Sequence, residues 1–180
     1  YADEGFTTVA TNPCGEIPLC PYDSCRLLAI NLLSYVDKPF TKEASFNFEK
    51  FKQHVEKAMR MMDDIIDLEL EKVELIINKI AADPEDEDIR RVEMELWKKI
   101  RTMARKGRRT GLGITAEGDM LAALGLRYGT PEATAFAVKV QKTLALEAYR
   151  ASVKMAAERG AFEIFDARKE EKNPMIGRIR

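Results

Sequence analysis

After residue 25 the chain has no cysteine: Cys14, Cys20 and Cys25 crowd its start, and the rest of its 180 residues contain none. That distribution excludes a disulfide scaffold running through the fold and suggests local thiol chemistry instead. An excess of charge of one sign is also missing. Lys and Arg number 29 against 30 Asp and Glu, a net charge of -1, so there is no basic field to hold a polyanion, and nucleic-acid or membrane-surface binding has little support. No apolar run approaches the roughly 18 residues of a membrane helix, and no basic-then-apolar leader precedes the first polar segment. The chain therefore reads as cytoplasmic. Histidine is nearly absent too: His54 alone is present, it falls mid-helix beside an apolar stripe, and a structural role is expected for it rather than catalysis.

What is present is enough for a core. Hydrophobic residues make up 46%, and the length suits one ordinary domain. The first residue is Tyr1 rather than Met, and the tail from Asn173 to Arg180 has no helix-ending composition. Both ends are expected to be cuts in a longer polypeptide.

Residues 1–25 are rich in Thr, Pro, Gly and Cys, and Pro13, Pro18 and Pro21 each disfavour helix at the residue before. A loop with extended edges is expected. Leu27 to Leu33 is an apolar run short enough for a buried strand, although a helical turn also fits. From Asn47 the spacing becomes helical: Phe51, Val55, Ala58, Met62 and Ile65 recur at intervals of three and four, with Asn47 as cap and Phe46 and Phe51 placed as a hydrophobic staple. Val73, Ile76, Ile77 and Ile80 continue the spacing, so this helix either runs to about Ala82 or breaks near Asp67. The group Met59, Met61 and Met62 reads as core filling or a packing surface.

Asp83-Pro84 followed by Glu85 to Asp88 supplies a cap, a proline for the first helical position and acids for the positive end of the helix dipole. A helix is predicted from there, with Ile89, Val92, Leu96, Ile100 and Met103 on one face, ending at Gly107 in the left-handed conformation. Calcium ligation by the acidic run is disfavoured, because the central glycine of an EF-hand loop is missing. Arg109 to Ile114, with Gly111 and Gly113, predicts a strand packed closely on a neighbour rather than a nucleotide loop. Thr115 is placed to cap a short helix ending near Gly125. Thr130-Pro131 opens a long helix with Phe136, Val140, Leu144, Ala148, Ala151 and Met155 on one stripe, closed by Gly160. The expectation is a helix-rich α/β segment with two or three short strands and long helices: residues 1–36 loop and strand, 46–106 helical, 108–160 strand, short helix and long helix, and 161–180 a truncated tail.

The informative stretch is Thr11-Asn12-Pro13-Cys14-Gly15-Glu16-Ile17-Pro18-Leu19, then Ser24-Cys25 and Leu28-Ala29-Ile30-Asn31-Leu32. It resembles the active-site loop of ribonucleotide reductase large subunits, in which Asn-Pro-Cys-Gly-Glu is followed by a second cysteine and an Ile-Asn-Leu strand. Arg108 to Ile114, Leu124 to Gly129, and Tyr149 to Phe162 resemble later blocks of the same family in the same order, so the resemblance spans almost the whole chain.

The resemblance implies a fragment of a ten-stranded α/β barrel with the radical cysteine on a loop at its centre. It makes Cys14 the thiol whose radical abstracts the ribose 3'-hydrogen, a sensible carrier because S–H and ribose C–H bonds have comparable strength. Glu16 becomes the general base that takes the 3'-hydroxyl proton as the 2'-hydroxyl leaves as water. A carboxylate is ionised at neutral pH, and partial burial would raise its basicity towards the working range. Asn12 becomes a substrate-positioning amide. Cys25 matches the cysteine that, with a partner upstream of this chain, becomes a disulfide in each turnover. Cys20 departs from the family pattern and is read as a bystander.

The eleven-residue separation of Cys14 and Cys25 and the Ala156 to Phe162 ending look more like the adenosylcobalamin-dependent class than the di-iron one. The implied cofactor is adenosylcobalamin for the full-length enzyme, with none expected on this segment itself. The implied partners are a ribonucleotide substrate, a thioredoxin- or glutaredoxin-type reductant and the remainder of the catalytic subunit, and a homodimer is admissible. The segment alone is expected to be inactive. A zinc site built on the three thiols is disfavoured, since no Cys-x-x-Cys pair or nearby His exists. A different kind of protein remains as the alternative: a non-catalytic helical packing or interaction module that retains the motif.

Overall fold

Residues 5–179 are described in the computed structural model; Tyr1 and Arg180, the ends read above as cuts, lie outside them. In chain order the elements are β1 (Ala10–Thr11), β2 (Pro18–Leu19), β3 (Arg26–Asn31), a 3-10 turn (Leu32–Tyr35), β4 (Val36–Asp37) and β5 (Ser45–Phe46). These are followed by α1 (Phe48–Ala82), α2 (Glu87–Gly107), β6 (Thr110–Thr115), α3 (Glu117–Ala123), α4 (Pro131–Arg159), α5 (Ala167–Glu171) and α6 (Pro174–Ile179). The chain is helix-rich, and its two six-residue strands, β3 and β6, are those the apolar run and the glycine-rich segment predict. They are hydrogen-bonded neighbours in one sheet. The other four strands are two-residue pairs, and the tail carries two short helices.

The chain divides into two compact units: Tyr1–Arg26, Asp64–Arg109 and Gly160–Arg180 in the first, Leu27–Asp63 and Thr110–Arg159 in the second. The second unit holds the larger apolar cluster. Leu32, Phe51 and Val55 from its first stretch and Met120, Ala123 and Val140 from α3 and α4 are almost wholly buried there. Each large aliphatic or aromatic side chain so placed contributes about 1.5–3 kcal/mol. An aromatic group knits it together: Phe51 lies 5.1 Å from Tyr35 and 5.4 Å from Phe46, both edge-on. Tyr35 also meets His54, hydroxyl to Nδ1 at 3.0 Å, which accounts for the single histidine structurally.

Asn47 starts α1 as its residue type suggests. Its Oδ1 accepts from the Lys50 amide at 3.0 Å, and its Nδ2 donates to Asp37 Oδ2 at 3.1 Å, while the Phe46–Phe51 staple closes over the first turn. Asn47→Ala is expected to cost about 1 kcal/mol, read as a lower urea midpoint; an unchanged midpoint would mean that the cap contributes nothing. Of the two possibilities for α1, the continuous one holds, with 35 residues unbroken to Ala82. Its buried stripe drifts by one position: Ile66 is fully buried, and Ile65, expected there, is 42% exposed.

Two expected helix starts move, and one left-handed cap falls on a different residue. Helix α2 starts at Glu87 with Asp86 as its cap, not at Pro84: Asp83 and Asp86 each accept from the amide two residues on, but the helical backbone bond runs from the Arg90 amide to Asp86 O. It ends at Gly107, but the left-handed residue is Arg108, at φ 41°. The glycine has another reason: a Cβ there would stand 2.7 Å from the Phe6 ring. Thr115 ends β6 rather than capping α3, whose cap position is the left-handed Ala116, with no side-chain bond. Thr130, by contrast, caps α4 as expected, accepting from the Ala133 amide at 3.3 Å. The apolar face predicted for α2 is only partly covered. Ala104 is buried, whereas Ile89, Val92 and Leu96 are 51%, 59% and 41% exposed, and the half-buried positions of the helix's first half are Arg90, Met94 and Trp97 instead.

Candidate active site

Proline and glycine set the shape of the motif loop. Strands β1 and β2 pair antiparallel, Ala10 opposite Leu19 and Thr11 opposite Pro18. The Val9 amide donates to Leu19 O at 2.9 Å and the Asn12 amide to Ile17 O at 3.1 Å, so the ladder runs up to the last pair before the tip. There the Gly15 amide donates to Asn12 O at 3.0 Å, which makes Asn12 to Gly15 a β-turn with Pro13 at its second position, where a fixed φ suits it. Gly15 follows with φ 79°, a conformation that a side chain would strain. Cys14 is left at the third position of the turn, exposed, with Glu16 exposed two residues on. Glu16 lies at the hairpin tip among exposed neighbours, Pro13 to Gly15.

Asn12 is committed on one side: its Oδ1 accepts from the Ile17 amide at 3.0 Å, closing the loop a second time.

Downstream, the segment carrying Cys25 is held by buried charge. Arg26 is 91% buried and meets Glu69 of α1, Nε to Oε2 at 2.5 Å, while its Nη1 donates to Ser24 O at 3.1 Å. Its Nη2 is buried with no partner among the described residues. Asp23, with its side chain 1% exposed, faces Arg109 at 2.6 Å. By direction this contact is an ion pair rather than an aligned hydrogen bond. Arg109 Nη1 in turn donates to Pro18 O at 3.2 Å, which ties the base of the hairpin to the same guanidinium.

The three cysteines are free thiols in three environments: Cys14 exposed, Cys20 buried and Cys25 half-buried. Burial pushes the Cys25 thiol up, while the Arg109 and Arg26 guanidiniums pull it back. Among the described residues no cysteine takes part in a cluster of three potential metal ligands.

Sequence reasoning missed Arg26, Asp23 and Arg109. For Arg26 a signal existed. In β3, alternation puts residues 26, 28 and 30 on one face, and Ile30 is buried there while Leu27, Ala29 and Asn31 are exposed. No comparable signal marks the ion pair between Asp23 and Arg109, which are far apart in sequence.

The hairpin thus presents a thiol and a carboxylate two residues apart, with two further thiols following its second strand. A family model described as ribonucleotide reductase, barrel domain, matches residues 3–176, and the chain belongs to that family. It is 31% identical over 156 residues to the vitamin B12-dependent ribonucleoside-diphosphate reductase of Mycobacterium tuberculosis strain CDC 1551 / Oshkosh, covering 87% of this chain and 18% of that protein. It is 35% identical over 153 residues to the protein of the same description from Thermoplasma acidophilum, covering 85% and 16%. The chain thus spans less than a fifth of the length of these relatives. Among the described residues no helix is long and apolar enough to cross a membrane.

Proposed function

We propose that this chain carries the radical-thiol loop of a ribonucleotide reductase that converts ribonucleotides to 2'-deoxyribonucleotides. The observation that supports this most directly is the closed hairpin tip, where Cys14 and Glu16 stand exposed two residues apart on backbone tied by its own hydrogen bonds. Cys14 Sγ, as a thiyl radical, takes the 3'-hydrogen of the ribose and later returns it. Glu16 accepts the 3'-hydroxyl proton, and the 2'-hydroxyl departs as water. The side-chain nitrogen of Asn12 donates to a substrate hydroxyl. Cys25 and a second cysteine elsewhere in the polypeptide supply two electrons and two protons and become a disulfide. The sum is a ribonucleotide and two thiols giving a deoxyribonucleotide, a disulfide and water.

The relatives' B12 dependence favours adenosylcobalamin as the cofactor. Cys14 is exposed, which leaves room for a bulky group beside it, and no residue of this chain is assigned to hold that group. When bound, adenosylcobalamin supplies the radical that starts the cycle. The substrate is a ribonucleotide, and the disulfide calls for a dithiol protein of the thioredoxin or glutaredoxin kind.

The test is reduction by the intact polypeptide supplied with adenosylcobalamin, a dithiol reductant and ribonucleoside di- or triphosphates. Deoxyribonucleotide formation is expected, and a disulfide at Cys25 when reductant is withheld. Failure with every ribonucleotide would remove the proposal. The exposed apolar stripe of α2 favours a second reading, a helical packing module that keeps the motif without turnover, and the same assay separates the two.

A further inference from the structure

Cys20 is the one thiol of this segment that the proposed reaction leaves unused, and it is 96% buried. Its Sγ donates to Asp23 Oδ2 at 3.3 Å. The other oxygen of that carboxylate accepts from the Ser24 amide at 2.9 Å, and Arg109 supplies the countercharge at 2.6 Å, without which so enclosed a carboxylate would be costly. One carboxylate thus meets both the Cys20 thiol and the Arg109 guanidinium.

We propose that Asp23 is a positioning residue that holds Cys20 out of thiol–disulfide exchange and leaves Cys25 as the reducing thiol of this segment; this rests on the role given to Cys25 above. Once Cys25 is in a disulfide, Cys20 is the cysteine nearest to it in sequence, and as a thiolate it would be the nucleophile for exchange at that sulfur. The Cys20–Cys25 bond forms, the earlier S–S bond breaks, and the displaced cysteine leaves as a thiolate with no net change in electrons. Only a thiolate attacks.

Burial first, then the hydrogen bond to Asp23 and its negative charge, push the Cys20 thiol up from 9.0 to about 11, against an opposing pull from Arg109. Near pH 8 that reduces its thiolate about a hundredfold. At Cys25 two guanidiniums oppose burial, with Asp23 and Glu16 adding smaller upward pushes. Burial is the first cause at both thiols, and the hydrogen bond to Asp23 is an upward push found at Cys20 and not at Cys25.

The experiment is site-resolved alkylation of the reduced, intact polypeptide with iodoacetamide across pH 7 to 11.5, read by mass spectrometry. Cys20 is expected to react at least about tenfold more slowly than Cys25 at pH 8, with a half-maximal rate near pH 11. Asp23→Asn is expected to raise the Cys20 rate at pH 8 about tenfold and to let a Cys20–Cys25 disulfide accumulate after turnover without reductant. A wild-type Cys20 that titrates like an ordinary cysteine, or a folded Asp23→Asn protein with unchanged Cys20 reactivity, overturns the proposal. Should the variant lose its helical circular dichroism, the wild-type pH profile decides alone. Full reductase activity in Cys25→Ser would remove the role of Cys25 while leaving the alkylation profile standing, so the two failures are distinct.

Discussion

Cys14→Ser in the intact polypeptide is expected to abolish ribonucleotide reduction, a fall of at least about a thousandfold, or more than about 4 kcal/mol in the barrier. Substrate affinity is expected to stay within about twofold, or roughly 0.4 kcal/mol. The two side chains are nearly the same size, and the turn that carries them is made by backbone groups of Asn12 and Gly15, so the hairpin survives the exchange. What is lost is a bond of matched strength: a hydroxyl holds its hydrogen far more tightly than a thiol does, and an oxygen radical would not hand the hydrogen back to carbon and forth again. Turnover by the serine variant above a hundredth of wild type would rule out the radical role of this sulfur. Equal loss of substrate binding and turnover would point instead to a damaged loop.

Phe51→Ala carries the largest expected cost to folding, about 3–5 kcal/mol. Phe51 is fully buried in the second unit, and its ring is the common neighbour of Tyr35 and Phe46, so truncation opens a void between the first turns of α1 and the 3-10 turn before β4. Phe51→Leu, which refills most of that volume, is expected to lose only about 1–1.5 kcal/mol. Chemical denaturation followed by circular dichroism measures both. A loss below about 1 kcal/mol for the alanine variant would mean that this aromatic group is not a packed core.

Much of this could be read along the chain because the signals are local. The start of α1 needs only Asn47, Phe46 and Phe51; the long stripe of α4 needs only its spacing, and Val140, Leu144, Ala151 and Met155 are buried as it predicts. The family resemblance rests on residues contiguous in the motif, and the family match confirms it. Where local signals compete, the sequence misleads. Asp83-Pro84 and Asp86-Glu87 are both credible helix starts, and each aspartate accepts from the amide two residues on; the helical backbone bond from the Arg90 amide to Asp86 O places the start. Gly107 resembles a left-handed helix end, yet the ring of Phe6 explains it. The stripe of α2 is amphipathic by pattern alone, and pattern does not say what, if anything, lies against it. Least legible is the buried charge beneath the hairpin, since an Asp–Arg pair between distant segments leaves no mark on either one.

The thiol loop is stitched to itself: Val9, Asn12 and Gly15 all donate to acceptors within the same eleven residues, Val9 to Leu19. The alignment of sulfur and carboxylate is therefore inherited from the peptide rather than imposed by whatever surrounds it. Displacement of whatever packs against this loop can carry the pair along as one piece, with the hydrogen bonds that shape the turn left intact.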